Sequence, residues 1–107
     1  MTIISKEKDC LTLINVFTVE PANQQRLIDL LIAATNDVRL ISGFLSSSLH
    51  RSLDGTKVTM YAQWESQEHY QHMRNNLAAS STLMEMFMIA TFEQGMYEVV
   101  ETFFPPA

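Results

Sequence analysis

The first hydrophobic stretch of the chain has the length and residue types of a β-strand. Residues 11–19 read LTLINVFTV, rich in β-branched and aromatic side chains, and Pro21 follows at a position suited to the first turn of a helix. Apolar residues then recur at helical spacing from about Ala22 to Leu40. The pattern therefore predicts one strand followed by one helix.

The second half of the chain predicts a hairpin, more helix and a final strand. FLSSSLHRSL and TKVTMYAQWE flank the pair Asp54-Gly55, which favours the positive φ angles of a two-residue hairpin turn. Ser66 can cap a helix that ends near Asn76, SSTLMEMFMIATF predicts a further helical piece, and MYEVVETFF predicts the last strand. The order is β-α-β-β-α-β, an α+β fold with a ferredoxin-like antiparallel sheet and helices on one face.

The first strand carries apolar residues on both faces. Alternation places Leu13 and Phe17 on one side and Ile14 and Val16 on the other. A sheet with helices on one face would leave the second apolar side in water. We therefore expect another subunit to cover it, which gives a homodimer packed sheet against sheet.

The hairpin turn fixes the register of the two strands around it. A two-residue loop at Asp54-Gly55 puts three cross-strand pairs on the more apolar face, which we assign to the helices. The pairs are Leu49 with Met60, Ser47 with Ala62, and Leu45 with Trp64. Trp64 is thus predicted between sheet and helices. Beside it the small Ser47–Ala62 pair leaves a gap that is either a pocket or filled by a helix residue.

The opposite face of the hairpin has a mixed composition that suits a subunit interface. Its predicted members are Phe44, Ser46, Ser48, His50, Thr59, Tyr61, Gln63 and Glu65. His50 is either an ordinary interface or surface histidine or a residue with a chemical role.

Asn15 is the polar exception on the helix side of the first strand. A buried amide without a partner costs about 1–3 kcal/mol, so Asn15 needs either a structural hydrogen bond or a ligand. Several methionines could add a soft lining for a flat aromatic ligand, or simply fill the core. They are Met73, Met84, Met86, Met88 and Met96.

Composition narrows the class of protein. A chain of 107 residues fits one domain over 1–107, and no apolar run approaches the ~20 residues that span a bilayer. A single cysteine, Cys10, fits a reducing cytoplasm, and a net charge of −5 without a basic stripe argues against nucleic acid. His69 and His72 have no evident third ligand, and no cofactor motif occurs, so we expect neither metal nor cofactor.

Three short motifs together resemble the antibiotic biosynthesis monooxygenase family. They are GF at the start of the second strand, LHRSLDG at the hairpin and YAQWES at the junction of strand and helix, within a resemblance that spans roughly Leu11 to Tyr70. The resemblance implies ferredoxin-like protomers that pair as dimeric α+β barrels. The same fold also hosts isomerases and proteins without known activity.

The resemblance also implies roles for individual residues. Asn15 and Trp64 match catalytic positions and Tyr70 matches a pocket position, whereas Met60 stands where the family has an asparagine, and STLMEMFMIATF lacks the family's arginine. Met60, Ser47 and Ala62 are further substrate-binding candidates. The implied reaction is oxidation of a phenolic or polycyclic aromatic molecule to a quinone by O₂ without a cofactor. The alternatives are a dimer that binds a small apolar metabolite without catalysis, and an isomerase.

Overall fold

The chain forms one four-stranded antiparallel sheet with its helices packed against one face. A computed structural model describes residues 10–77 and 80–107. The elements are β1 (Leu11–Val19), a 3₁₀ turn (Pro21–Asn23), α1 (Gln24–Val38), β2 (Phe44–Arg51), β3 (Lys57–Trp64), α2 (Gln67–Leu77), α3 (Ser81–Ile89) and β4 (Ala90–Tyr97). The sheet order is β2-β3-β1-β4. This arrangement confirms the predicted α+β ferredoxin-like fold.

The first helix is shorter than predicted. It ends at Val38 rather than near Leu40, because tight turns follow: the backbone N–H of Leu40 donates to the carbonyl of Asp37 and that of Ile41 to the carbonyl of Val38. Gly43 then takes a φ of 92° and starts the return of the chain into β2. None of the described helices has the length and hydrophobicity needed to cross a membrane.

The last strand begins earlier than predicted. It covers Ala90–Tyr97 instead of MYEVVETFF, and no strand is assigned to residues 98–107. The physical reason is the length of its partner: Ala90 pairs with Val19 and Tyr97 with Thr12, so β4 uses nearly the whole of β1. Ala90 to Phe92, predicted as helix, therefore belong to the sheet.

The hairpin has the predicted register but a different turn. Leu49 faces Met60 and Ser47 faces Ala62, as expected. Among the described residues only glycines have positive φ, so Gly55 does and Asp54 does not, and the strands end at Arg51 and Lys57. The Asp54 carboxylate accepts hydrogen bonds from the hydroxyls of Ser52 (2.8 Å) and Thr56 (2.7 Å), which favours this wider loop.

A β-bulge in β2 overturns one predicted pair. The register shifts between Phe44 and Ser46, so Phe44, not Leu45, lies opposite Trp64. Phe44 thereby packs on the helix side, and Leu45 is exposed (42%). The predicted positions of Phe44 on the outer face and Leu45 on the inner face are both wrong, because one extra residue inverts the alternation.

The buried side chains form two clusters on the helix side of the sheet. The closed cluster contains Phe17, Val19, Leu27, Ile28, Leu31, Val58 and Met86. The open cluster contains Leu13, Ala62, Trp64, Tyr70 and Met73. Both depend on the odd-numbered residues of β1, which confirms the predicted inner face of that strand.

Candidate active site

A cavity of about 330 Å³ lies between the sheet and the helices. Its walls are mainly apolar and come from β1, α1, the hairpin, α2, α3 and β4. All six residues predicted for a site line it: Asn15, Ser47, Met60, Ala62, Trp64 and Tyr70. The gap beside the small Ser47–Ala62 pair is thus a pocket rather than space filled by a helix side chain.

Trp64 lines the cavity and is itself almost completely buried (1% exposed). Its indole meets Phe44 edge-on with ring centroids 5.4 Å apart, and Tyr70 at 6.2 Å and 63°. Such edge contacts hold an aromatic ring in one orientation. Trp64 is therefore both a core residue and a fixed wall of the pocket.

The junction after Trp64 places Tyr70 at the cavity. The Ser66 hydroxyl accepts a hydrogen bond from the backbone N–H of His69 (3.2 Å), which is the predicted cap at the start of α2. Gly43 leaves room for the His69 ring, since a Cβ there would collide with it. With the first turn held in this way, the next residue, Tyr70, points inward and is 3% exposed.

Asn15 lies at the middle of β1, one of the two inner strands of the sheet. In register it sits between Met60 of β3 and Gln94 of β4. Its Oδ1 atom is buried and, among the described residues, has no hydrogen-bond partner. Because a buried acceptor without a partner costs about 1–3 kcal/mol, this atom calls for a donor from a bound molecule.

Three polar residues of the cavity, Thr35, Arg74 and Gln94, are not among those predicted from the sequence. Gln94 donates from Nε2 to the Tyr70 hydroxyl oxygen (2.7 Å), and Arg74 donates from Nη1 to Gln94 Oε1 (3.4 Å). Arg74 stands four residues after Tyr70 on α2, a spacing that signals a shared helix face. Gln94 gave no such signal, because the last strand had been placed beyond it.

Of the described residues that line the cavity, Arg74 is the one with a formal charge, and no carboxylate joins it. The structure describes no group of three His, Cys, Asp or Glu side chains that could hold a metal ion within residues 10–77 and 80–107. His69 instead contacts the Ser66 hydroxyl, and His72 the Asn76 amide. The chemistry available in the cavity is therefore hydrogen bonding by amides, the Thr35 and Ser47 hydroxyls, a phenol and one guanidinium group.

Other predicted contributions lie elsewhere. Of the methionines considered for the lining, Met73 and Met86 reach the cavity, whereas the side chains of Met84, Met88 and Met96 are exposed. The lining prediction is wrong for these three: Met84 and Met88 lie on the exposed side of α3, and Met96, opposite Leu13 on β4, is 43% exposed and does not line the cavity. His50 lies on the outer face of the hairpin, 2.9 Å from the Ser48 hydroxyl and edge-on to Tyr61, and does not line the cavity.

The fold and cavity define a class: a ferredoxin-like α+β domain whose mainly apolar cavity contains a buried amide oxygen without a described hydrogen-bond partner. The antibiotic biosynthesis monooxygenase family model matches residues 10–81. The chain belongs to this family.

Similar proteins agree with that assignment. The chain is 43% identical over 74 residues to tetracenomycin-F1 monooxygenase of Streptomyces glaucescens, a match that covers 68% of this chain and 66% of that protein, just under two thirds of its length. It is 28% identical to a Streptomyces coelicolor monooxygenase solved with nanaomycin D (TM-score 0.76; 90% and 92% of the two chains). A cofactor-independent oxygenase of Streptomyces nogalater shares the fold at 21% identity (TM-score 0.73; 89% and 97%).

Proposed function

We propose that this protein is a cofactor-independent monooxygenase that oxidises a phenolic polycyclic aromatic molecule to a quinone with O₂. The observation that carries the proposal is the buried, unpartnered Oδ1 of Asn15 in a cavity that is otherwise mainly apolar. A volume of about 330 Å³ is within the range of small-molecule sites, and such a cavity selects a flat apolar ligand with a polar group at one place.

The reaction requires no electron source other than the substrate. A ring CH₂ conjugated with a phenol loses a proton, and the resulting anion passes one electron to O₂. The radical and superoxide combine and take up a proton to form a hydroperoxide. Loss of water leaves a carbonyl group, so CH₂ and O₂ become C=O and H₂O.

The residues around the cavity support this chemistry by binding and by excluding water. The Asn15 amide can accept from the phenol through Oδ1 or, after a half-turn, donate to the phenolate as negative charge develops. Trp64 offers an apolar face against which the rings can pack, and Tyr70 carries a hydroxyl for a second oxygen. Met60, Ser47 and Ala62 complete the wall beside them.

Relatives support the class of substrate. The name of the Streptomyces glaucescens relative assigns it monooxygenation of tetracenomycin F1, and the Streptomyces coelicolor structure holds nanaomycin D. From these proteins we extend to this chain only the class of substrate, an aromatic antibiotic precursor.

The test is O₂ uptake with 1,8-dihydroxyanthrone in the presence of a chelator and without added metal or flavin. We expect one O₂ consumed for each 1,8-dihydroxyanthraquinone formed, at a rate above the autoxidation of the anthrone alone. Binding without accelerated O₂ uptake would identify a non-catalytic metabolite-binding protein. A new isomer without O₂ uptake would identify an isomerase.

We also propose that the outer face of the sheet forms a homodimer. Ile14, Val16 and Tyr61 lie there half-buried, and Phe103 and Phe104 of the C-terminal segment are exposed in the isolated chain. Sedimentation should give twice the 12.2 kDa chain mass, and Tyr61→Lys should favour monomers by placing charge in the contact. Gln71→Lys, on the exposed side of α2, is the control; a wild-type monomer would exclude the dimer.

A further inference from the structure

Tyr70, Gln94 and Arg74 form a hydrogen-bonded chain along one side of the cavity. Gln94 Nε2 lies 2.7 Å from the Tyr70 hydroxyl oxygen, and Arg74 Nη1 lies 3.4 Å from Gln94 Oε1. All three residues line the cavity; Tyr70 is buried, whereas Gln94 and Arg74 are exposed. This series of hydrogen bonds therefore runs from solvent, at Arg74, to the inner wall of the cavity, at Tyr70.

The direction of these hydrogen bonds follows from the chemistry of the groups. A guanidinium group only donates, so Arg74 selects the carbonyl oxygen of the Gln94 amide. The amide NH₂ must then face Tyr70 and donate to its oxygen. A phenol has one proton, and Tyr70 cannot give it to a group that is itself donating.

We propose that Gln94, oriented by Arg74, is a positioning residue that commits the Tyr70 hydroxyl to donate its hydrogen bond into the cavity, to an acceptor oxygen of the bound molecule. This inference rests on the proposed function, because it assumes an aromatic ligand in the cavity. It deepens that proposal by assigning opposite hydrogen-bonding roles to two positions in the site: Asn15 Oδ1 is an acceptor, and the Tyr70 hydroxyl is a donor.

The two hydrogen-bonding roles define the ligand more narrowly. Asn15 Oδ1 lacks a donor, and Tyr70 presents one; Gln94, which donates to Tyr70, lies opposite Asn15 on the neighbouring strand. A matching molecule carries an O–H group at one place and a carbonyl or other acceptor oxygen at another. A hydroxy-substituted aromatic ketone has both.

The experiment is a double-mutant cycle with Gln94→Glu, Tyr70→Phe and the combined variant. A glutamate keeps the size of Gln94 but only accepts hydrogen bonds, so the Tyr70 proton should turn towards it and away from the ligand. The probe is 1,8-dihydroxyanthraquinone, which carries hydroxyl and carbonyl groups and cannot be oxidised at a ring CH₂. Binding is read from quenching of Trp64, the single tryptophan.

Each single substitution should weaken binding about three- to tenfold, the loss expected for one hydrogen bond. The combined variant should bind no more weakly than Tyr70→Phe alone, because Gln94 acts through the hydroxyl that Phe lacks. Gln94→Met, neutral and unable to donate, should give a smaller loss that also disappears in the Tyr70→Phe background. Gln71→Glu adds the same charge next to Tyr70 in sequence, outside the cavity, and should leave binding unchanged.

Multiplicative losses in the combined variant, or full binding by Gln94→Glu, would overturn the inference. Failure of the wild-type protein to bind the probe would also overturn it, since the complementary ligand would have been refused. Turnover of 1,8-dihydroxyanthrone is measured separately. Binding that follows the predicted cycle in a protein that consumes no O₂ would remove the proposed oxygenase and keep the role of Gln94.

Discussion

The two buried clusters occupy the same face of one sheet, yet they differ in what surrounds them. Four of the seven residues in the closed cluster, Val19, Leu27, Ile28 and Val58, do not line the cavity. All five residues in the open cluster do. Packing mainly against other protein side chains thus characterises one end of the sheet, and packing that leaves room for a ligand characterises the other.

The difference separates stability from binding along the length of the strands. Closely packed side chains lose both burial and contacts when truncated, whereas side chains at a cavity wall can change with less effect on their neighbours. We therefore expect substitutions in the closed cluster to change the free energy of unfolding, and substitutions at the open cluster to change ligand binding and turnover.

The largest effect is expected for Leu27→Ala in the closed cluster. Leu27 has no exposed surface and does not line the cavity, so the substitution should lower the free energy of unfolding by about 2–5 kcal/mol. Urea denaturation measures the loss. Ile32→Ala, on the exposed side of the same helix, should cost less than about 0.5 kcal/mol. A Leu27→Ala protein that stays folded but no longer binds 1,8-dihydroxyanthraquinone would break the separation.

Asn15→Leu should have the reverse effect. Leucine has a similar size and leaves no described partner of Oδ1 stranded, so stability should stay the same or rise. Turnover of 1,8-dihydroxyanthrone should fall about 10²–10³-fold, as for loss of a hydrogen bond made in the transition state, about 2.7–4 kcal/mol. Asn36→Leu, at an exposed position of α1, is the control. Unchanged turnover with a loss of stability would make Asn15 a structural residue.

Ala62→Leu should sharpen the comparison by filling the cavity. The added carbons enter space beside Ser47, so binding of 1,8-dihydroxyanthraquinone should weaken about tenfold, or roughly 1.4 kcal/mol, with little change in stability. Ala33→Leu adds the same atoms at an exposed position of α1 and should bind normally. Strong destabilisation by Ala62→Leu would mean that the space near Ser47 cannot accept a side chain.

The smallest effect is expected at the hairpin tip, beyond both clusters. Hydrogen bonds from the Thr56 hydroxyl and backbone N–H, and then from Ser52, lower the pKa of Asp54 from 3.8 to about 2. A lowered folded-state pKa stabilises the fold above pH 3.8, and that contribution is lost as the pH falls towards about 2. The difference in melting temperature between wild type and Asp54→Ala should be constant from neutral pH to about pH 4, shrink as the pH falls through about 2, and vanish below it. A difference that persists below pH 2 would assign the effect to something other than the carboxylate.

The sequence predicted most of the fold because the strongest local signals agreed with one another. Asp54-Gly55 located the hairpin, and alternation on β1 and β3 put Asn15, Ala62 and Trp64 on the inner face. The bulge at Phe44 could not be predicted, because it depends on which of two adjacent apolar residues packs better against Trp64. That choice is made by tertiary contacts rather than by local propensity.

Gln94 and Arg74 were not predicted from the sequence for a similar reason. Gln94 comes to Asn15 only through the register of β4, and the sequence MYEVVETFF has a stronger strand composition than the segment that forms the strand. β4 pairs instead along β1, with Gln94 opposite Asn15. Long-range pairing thus decides which residues face the cavity. Arg74 was not predicted as a site residue because its hydrogen-bond partner, Gln94, was not predicted.

The inner position of β1 has a consequence for hydrogen exchange. β1 is paired on both sides, so its backbone amides should exchange only through large openings, and Asn15 is carried by the most protected part of the chain. Tyr70 and Arg74 sit on an 11-residue helix with an exposed outer side. A ligand held between β1 and α2 should therefore slow exchange mainly in α2, where opening is easiest. The amides of β1 already exchange slowly and should be almost unchanged.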